Sequence, residues 1–538
     1  MKNKIIKDSV HGYIEIEKKF VALVNSAEFQ RLKYIEQGSY RVLYPAARHD
    51  RFIHSLGVYH LSKLFGKCFL DNIKNDLGLS SDYTIQEDTF HYASLMHDVG
   101  HAPFSHTTED FFTYASTDNG LSKIEYDLKK AIEDYISSLS IALEDKQARI
   151  NQFLDDYNDP DCEPKPHEII SATLLIELAD KYLNTFKNSL DLELAARMVI
   201  GCTYGYSTEN DNISDLLGVQ NGLIRLLNSE TVDVDKLDYI KRDNMMTGFE
   251  NVSIDINRLA NSVTAIKKHG GIYPAFRKTS LSVIDNVFRA KEEQGNWIIS
   301  HPVVLYDSKI LSTAITKLWD ENTFKLVFSK ESLSKTGHDI NKQKFALLND
   351  SDILYELKRN SNFEDINSIS AQVFDRNIRL KPLWKSKDEF KILFGEKVNS
   401  IFNFFNGLIA YFDNKDFILN NQTYAILMTD QEHNITEQEK NTATFLKDFF
   451  DENDLNFEIA FTKPKASFAP SFNPEHVYIR FDKVLANSEE KFVTYKTLGR
   501  DINTNKVNYF YIYTRDTFSS DLLQSFVRET IDKVRERA

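Results

Sequence analysis

From residue 15 to about residue 320 of this 538-residue chain, apolar residues recur at intervals of three and four. That spacing lays them along one face of an α-helix. Phe20-Val21-Leu23-Val24, Leu61-Leu64-Phe65 and Phe90-Ala93-Leu95-Met96 are examples. Stripes of this kind have to be buried helix against helix, so the expected fold is mainly α. Residues 111–166 interrupt the pattern. Charge and small polar residues dominate there, and Asp156–Pro166 (DYNDPDCEPKP) is a loop by its prolines and aspartates, so an irregular insertion is expected. Helical patterning resumes from Glu168 to about Ile200.

After about residue 390 the texture changes. Tyr424–Met428, Phe457–Phe461, Val477–Phe481 and Val507–Tyr513 are short β-branched and aromatic runs, which predict strands. The last twenty residues return to helical spacing through Leu522-Leu523, Phe526-Val527 and Ile531. The expected organisation is a helical domain over 1–390 followed by a smaller α+β domain over 391–538. The length fits that division, since one hydrophobic core rarely serves so long a chain.

Composition narrows the function classes. No apolar run reaches the 18 residues of a membrane-spanning helix. Met1–Lys7 is basic but has no apolar stretch or small-residue cleavage site of a secretory leader. Cys68, Cys162 and Cys202 are odd in number and far apart, which argues against a disulfide framework and fits a reducing cytoplasm. The net charge of −14 weighs against a nucleic-acid coat, so any anion pocket must be local.

The densest chemical signal is Met96-His97-Asp98-Val99-Gly100-His101-Ala102-Pro103-Phe104-Ser105-His106. His97 and Asp98 set a nitrogen and a carboxylate ligand side by side where Gly100 stops an apolar helix. His54 in Arg51-Phe-Ile-His54 and Asp235 in Asp233-Val-Asp235-Lys236 complete an H…HD…D set. Two imidazoles and two carboxylates suit an octahedral Mn, Fe, Ni, Mg or Zn ion with positions left for water and a phosphate oxygen. Without thiolates, a closed structural zinc site is disfavoured. Lys236, Tyr239 and Asp243 are spaced i, i+3, i+7 and share a helix face. Arg51 beside one candidate ligand and Lys236 beside another offer the local positive pocket that a triphosphate needs. Taken alone, an isolated His-Asp pair reads better as a polar loop, and the Asp235–Asp243 helix as a solvated face.

Five motifs in order carry a resemblance: Ile5–Glu15 with its His11-Gly12, Glu28–Gln37, Arg51–Gly57, His97–His106 and Asp233–Tyr239. The series resembles the HD-domain deoxynucleoside triphosphate triphosphohydrolases, a group that includes the sterile-alpha-motif-plus-HD enzyme and bacterial dGTPase-like proteins. The match covers about residues 4–110 and 165–320, with a weaker echo at Leu347–Leu354 and Asp375–Ile378. The resemblance implies that His54, His97, Asp98 and Asp235 hold a divalent metal. It implies that His106 protonates the leaving 5′-oxygen, with Glu109 orienting that imidazole and raising its pKa, and that His101 and His167 are further pocket histidines. It assigns the phosphates to Arg51, Lys236 and Tyr239, and the sugar 3′-hydroxyl to Gln37 and Asp243. Tyr306 would lie beneath the ribose, although a core tyrosine on an apolar helix fits it equally well.

An activating nucleotide would meet Asn25, Gln30 and Lys33, where Asn25 replaces an acidic residue and Lys33 an arginine of the family. Gly38 replaces the family's apolar residue after the sugar-reading glutamine, and the loop to Pro45 is one residue shorter; both put strict rejection of ribonucleotides in question. The implied partners are deoxynucleoside triphosphates, a regulatory nucleotide, further copies of the chain, and a protein partner at the C-terminal domain. Two other readings remain at this point: an HD phosphodiesterase or 5′-nucleotidase acting on mono- or cyclic nucleotides, and a nucleotide-sensing regulator with a latent HD site.

Overall fold

The computed structural model describes residues 2–79, 81–117, 120–205, 214–249, 252–268, 271–340, 342–365, 368–414, 417–430, 435–464, 472–481, 491–499 and 508–536. The fold is mainly α with a smaller α+β region. It opens on an antiparallel hairpin, Lys4–Asp8 against Gly12–Ile16. The helices that carry the chemistry follow: α1 (Arg51–Leu77), α2 (Thr84–Met96), α3 (Lys123–Ser138), α4 (Leu143–Tyr157), α5 (Pro166–Tyr182), α6 (Leu192–Ile200), α7 (Asp215–Leu227), α8 (Val234–Thr247), α9 (Leu281–Glu293) and α10 (Pro302–Thr316). Asp50 caps α1 by accepting from the Ile53 amide, and Asp233 caps α8 by accepting from the Lys236 amide. Each cap satisfies an amide that the helix cannot and fixes where the first turn begins.

The expected irregular insertion at 111–166 is instead largely helical. Ser122 and Glu125 form a reciprocal capping box at the head of α3. Ile124, Leu128, Ile132 and Ile136 recur every four residues and are buried. On a short, highly charged helix this single apolar stripe is narrow, so overall polarity hid it. The Asp156–Pro166 loop appears between α4 and α5, as its prolines require.

Two hydrophobic cores form, and they do not meet along one point of the sequence. The first gathers residues from Ile14 to Tyr495, the second from Leu305 to Val527. Helix α10 serves both, giving Leu305, Tyr306 and Ile310 to the second and Leu311, Ala314 and Ile315 to the first. The strand Tyr478–Arg480 returns to the first region, running parallel to Gly271–Arg277 in a sheet whose order is 492–494, 478–480, 271–277, 263–268. A second four-stranded sheet, Lys381–Pro382, Tyr511–Thr514, Ile459–Thr462 and Ile418–Leu419, backs the second core.

Of the four runs predicted as strands, three contain one: Ile459–Thr462, Tyr478–Arg480 and Tyr511–Thr514, the last beginning late in a run whose first residue lies outside the described positions. Tyr424–Met428 lies inside a helix, Asn421–Thr429, capped by the Asn420 side chain on the Gln422 and Thr423 amides. The cap and the neighbouring helix override the local β preference of a five-residue apolar run. Residues 520–535 are helical, as their spacing predicts.

Candidate active site

Three helix ends converge to make the site. His54 stands in the first turn of α1, His97 and Asp98 follow the end of α2, and Asp235 lies in the first turn of α8. His54 Nε2 is 3.0 Å from Asp235 Oδ1, 3.3 Å from His97 Nε2 and 3.5 Å from Asp98 Oδ2. His97 Nε2 is 3.5 Å from both Asp98 Oδ1 and Asp235 Oδ1. Donor atoms about 3.0 Å apart are the edges of an octahedron whose bonds are about 2.1 Å long.

The tautomers fit the same reading. His54 Nδ1 donates to Asp238 Oδ2 at 2.7 Å, and His97 Nδ1 donates to the Ser94 carbonyl at 2.9 Å. In the neutral rings both Nε2 lone pairs then face one another, an arrangement that a cation between them resolves. His54, His97 and Asp98 are one of two described groups able to hold a metal ion, and Asp235 meets both of those histidines. Burial pulls the His54 pKa down, but hydrogen bonds to Asp235 and Asp238 more than reverse this and carry it to about 9. Asp98 is held well below the usual carboxylate range, because Arg51 and the two histidines outweigh its burial. Asp235 is 34% exposed while the His54 side chain is fully buried, so the open face of the centre lies on the α8 side.

Asp238 anchors this arrangement. Its carboxylate accepts from His54, from His11 Nε2 at 2.6 Å, and from Arg242 at 2.8 and 2.9 Å. Arg242 in turn reaches Asp8 at 2.8 Å, so the N-terminal hairpin is tied to α8. Gly57 owes its place to this crowding: a Cβ there would lie 1.9 Å from Asp238 Oδ1.

Arg51 donates to Asp98 Oδ2 at 2.8 Å, Ser105 Oγ at 2.9 Å and the Gln37 carbonyl at 3.1 Å. It lines the cavity described below, but all three of its nitrogens are engaged within the chain. Its immediate work is to position Asp98.

Beside the metal group lies a histidine trio, the second group of described residues able to hold a metal. Glu109 accepts from His106 Nδ1 at 3.0 Å and from His167 Nδ1 at 2.5 Å, one carboxylate oxygen to each. His101 stacks on His167 with centroids 4.0 Å apart and planes 13° apart. The turn that presents His106 is strained, with Phe104 and Ser105 both in the left-handed region at φ 59° and 54°. Asp350 braces it, accepting from the Phe104 amide at 2.7 Å and the Glu36 amide at 2.9 Å. Glu109 therefore orients His106, but it does not raise its pKa above the ordinary value. Burial prevails, and the imidazole titrates lower than usual despite the carboxylate. His101 is pushed much further down by burial and by Arg51 and the neighbouring imidazoles.

Both groups contribute residues to the lining of one open cavity. Asp98, Asp235, His106 and His167 form one side. Lys165 from the loop before α5, Lys236 from α8 and Lys291 from α9 also line it. Lys236 pairs with Asp233, while Lys291 Nζ contacts the Tyr239 hydroxyl at 2.9 Å and Gln294 Oε1 at 3.1 Å. Burial, then the charge of Lys236, depresses Lys291 to about 7. Gln294 carries this network on to Asp243, which accepts from His49 Nε2 and Gln294 Nε2, each at 2.6 Å. Gln37 lines the cavity as well, its buried Oε1 without a hydrogen-bond partner among the described residues.

Gln37, Arg51, His106, His167, Lys236, Tyr239 and Asp243 thus meet in one place with the four metal-set residues. Tyr306 does not join them. It lies in the second core, donating to Gln372 Oε1 at 2.8 Å and accepting from the Leu380 amide at 3.2 Å. Asn25, Gln30 and Lys33 lie apart from the cavity. Asn25 accepts from Lys4 at 2.8 Å, Gln30 donates to the Val24 carbonyl at 2.7 Å, and the Lys33 ammonium sits 4.5 Å over the Phe52 ring. Sequence reasoning did not single out Tyr40, His49, Lys165, Lys291 or Gln294. His11 stood in a quoted motif but had no role assigned.

Known proteins extend this picture in part. No family model matches the chain. It is 24% identical over 391 residues to an uncharacterized protein of Methanocaldococcus jannaschii, covering 72% of this chain and 65% of that protein. An uncharacterized protein of Mycoplasma genitalium is 26% identical over 291 residues, 53% of each chain. The chain thus spans less than two thirds of the length of either relative. The deoxynucleoside triphosphate triphosphohydrolase SAMHD1 of Gallus gallus is 42% identical over 113 residues, 20% of this chain and 17% of that one. The human protein of that name is 39% identical over 111 residues. This similarity supports an HD-like site in part of the chain. A crystal structure of a hypothetical protein from Aquifex aeolicus shares the fold over 98% of the chain, with a TM-score of 0.52 and 18% identity. Among the described residues no helix is long and apolar enough to cross a membrane.

Proposed function

We propose that the chain hydrolyses deoxynucleoside triphosphates to deoxynucleoside and inorganic triphosphate. The observation that carries this reading is the cavity itself. Asp98 and Asp235 of the H…HD…D set and the Glu109-oriented His106 and His167 line one chamber with Arg51, Lys165, Lys236 and Lys291, cationic side chains that can meet the several phosphates of one substrate. The partial similarity to the triphosphohydrolases is consistent with it.

His54, His97, Asp98 and Asp235 would hold a divalent cation, which supplies Lewis acidity and a readily deprotonated water. Arg51 keeps the Asp98 carboxylate ionised and aimed. Lys165, Lys236 and Lys291 grip the triphosphate tail, and Tyr239 steadies Lys291. His106, with its Nδ1 proton committed to Glu109, delivers a proton from Nε2 to the departing 5′-oxygen. Its lowered pKa would rise beside a polyanion, because the phosphate charge favours the imidazolium. Gln37 and Asp243 meet the sugar. Regulation by a nucleotide, assembly of copies and a partner at the C-terminal region remain proposals of the same reading.

The test is an assay with each deoxynucleoside triphosphate, singly and mixed, with Mn or Mg, resolving products by ion exchange beside Asp235→Ala. Triphosphate plus deoxynucleoside is expected, falling at least a thousandfold in the variant, as expected for loss of a metal ligand. Orthophosphate as the only inorganic product would replace this reading with a monophosphate or cyclic-nucleotide phosphohydrolase. Intact substrates in every mixture would overturn it in favour of a binding protein.

A further inference from the structure

Gly38 has an extended backbone, φ −170° and ψ 169°, that any residue adopts, so conformation does not explain a glycine there. Space does. A Cβ on residue 38 would lie 2.6 Å from Tyr40 Cζ and within 2.9 and 3.0 Å of two more ring atoms. The tight turn Ser39–Val42 folds the Tyr40 ring back over the Gly38 backbone, and both residues line the cavity. The ring lies 6.1 Å from His49, tilted by 29°. The Tyr40 hydroxyl is hydrogen-bonded to Asp243, whose carboxylate also accepts from His49 and Gln294.

Tyr40 is therefore built into the part of the wall that holds Gln37 and Asp243, with Gln294 linking Asp243 to Lys291. The aromatic face takes the volume that a side chain on residue 38 would otherwise occupy. We propose that Tyr40 is the specificity-determining residue of this cavity: its ring is the wall against which the sugar packs and which leaves a 2′-hydroxyl without room or partner, while its hydroxyl fixes Asp243 for the 3′-hydroxyl. Gly38 is the residue that admits the ring. The inference rests on the proposed nucleotide hydrolysis and adds to it the sugar selectivity and the group that imposes it.

The physical basis is modest per contact and additive in the ratio. A wall that rejects one extra polar group by shape discriminates by roughly tenfold to a hundredfold. The experiment measures kcat/KM for each deoxynucleoside triphosphate and its ribonucleotide counterpart in the full chain and in Tyr40→Ala, Tyr40→Phe and Gly38→Ala, with a melting curve for each. The wild-type chain is expected to prefer the deoxy form. Tyr40→Ala is expected to reduce that preference about tenfold or more by gaining ribonucleotide turnover. Gly38→Ala, which pushes the ring aside without removing it, shifts the ratio in the same direction by less. Tyr40→Phe keeps the ratio near wild type and raises KM for the deoxynucleotide.

A gain of ribonucleotide turnover cannot come from a misfolded variant, which keeps the test sharp if Tyr40→Ala is less stable. An unchanged ratio in Tyr40→Ala and Gly38→Ala overturns the role of Tyr40 while the hydrolase reading stands. Equal turnover of ribo- and deoxyribonucleotides by the wild-type chain does the same. Absence of any turnover in the wild-type chain brings down both.

Discussion

The two cores are built from different material. Around the first, Arg31, Arg51, Asp98, Asp238, Arg242 and Asp243 are all buried among helices. The second packs Trp384, Phe390, Phe405, Phe510 and Phe526 against one another, and the described polar residues buried beyond residue 360 are Gln372, Thr442, Thr462, Thr514 and Thr530, none charged. Aromatic packing of this kind contributes stability through area and close contact alone. A buried charge does the opposite unless a partner meets it, and even a paired one rarely outperforms an apolar residue of equal volume. The first core therefore accepts a cost that the second avoids, one cluster of it around His54, His97, Asp98 and Asp235 and another at Glu193 and Arg197. The first cluster differs from the second in opening onto the cavity.

Asp238→Ala tests the contrast most severely. It leaves Arg242 with Asp8 as its remaining carboxylate, takes the same partner from His11 and frees the His54 ring, so stability should fall by about 3–5 kcal/mol, as when one member of a buried ion network is removed. Divalent-metal affinity should fall about tenfold to a hundredfold, since Asp238 sets the tautomer of a ligand. Urea unfolding and a calorimetric metal titration measure the two. A loss of stability with metal affinity intact would make Asp238 purely structural and blur the contrast. Phe510→Ala is the counterpart in the second core. The ring lies 5.0 Å from Phe405, 5.4 Å from Phe390 and 5.6 Å from Trp384, and it is fully buried. Its removal should cost about 3–4 kcal/mol while metal affinity, measured well below the melting temperature, stays at the wild-type value. If affinity also drops, the cores communicate through the shared helix α10.

Much of the first region was legible because its chemistry is local in sequence. His97-Asp98 follow an apolar helix, Asp233 and Asp235 straddle a helix start, and Lys236, Tyr239 and Asp243 share one face by spacing alone. The mainly α fold, with its smaller α+β region, follows from periodicity. What escaped notice depends on contacts distant in sequence. Lys291 sits in Val287-Phe288-Arg289-Ala290-Lys291-Glu292-Glu293, where a lysine on an amphipathic helix ordinarily faces water. Only packing against Tyr239 and Gln294 turns it inward. Lys165 belongs to a proline-bounded loop with no periodicity to read. Tyr40 was invisible for the converse reason: the informative residue was Gly38, and its missing side chain acquires meaning only once the ring is seen above it. Tyr306 erred the other way, since an apolar helix with one tyrosine fits a core position as well as a ligand wall. Helices α3 and α4 were obscured because charge on three sides outweighs a single buried stripe.

Lys291 offers the smallest expected effect and the most direct measure of what the first core gives up for its function. Its folded pKa of about 7 lies below the unfolded value near 10.5. Between those values the unfolded chain holds a proton that the native chain does not, so stability rises with pH through that window. Below about pH 7 both states are protonated, and the native state carries the full penalty of a buried ammonium. Lys291→Met should therefore stabilise the protein at pH 6 by about 1–2 kcal/mol, with the gain shrinking steadily toward pH 10. The same substitution should raise KM for a triphosphate about tenfold at pH 6, with a smaller ratio at pH 8.5, where the wild-type lysine is itself largely neutral before substrate binds. Melting curves and initial rates at the two pH values measure both. A variant that is more stable yet binds as well would show Lys291 to be an unused burden. One that binds worse without gaining stability at pH 6 would mean that Tyr239 and Gln294 fully compensate the buried charge, and that the two cores differ less in cost than in composition.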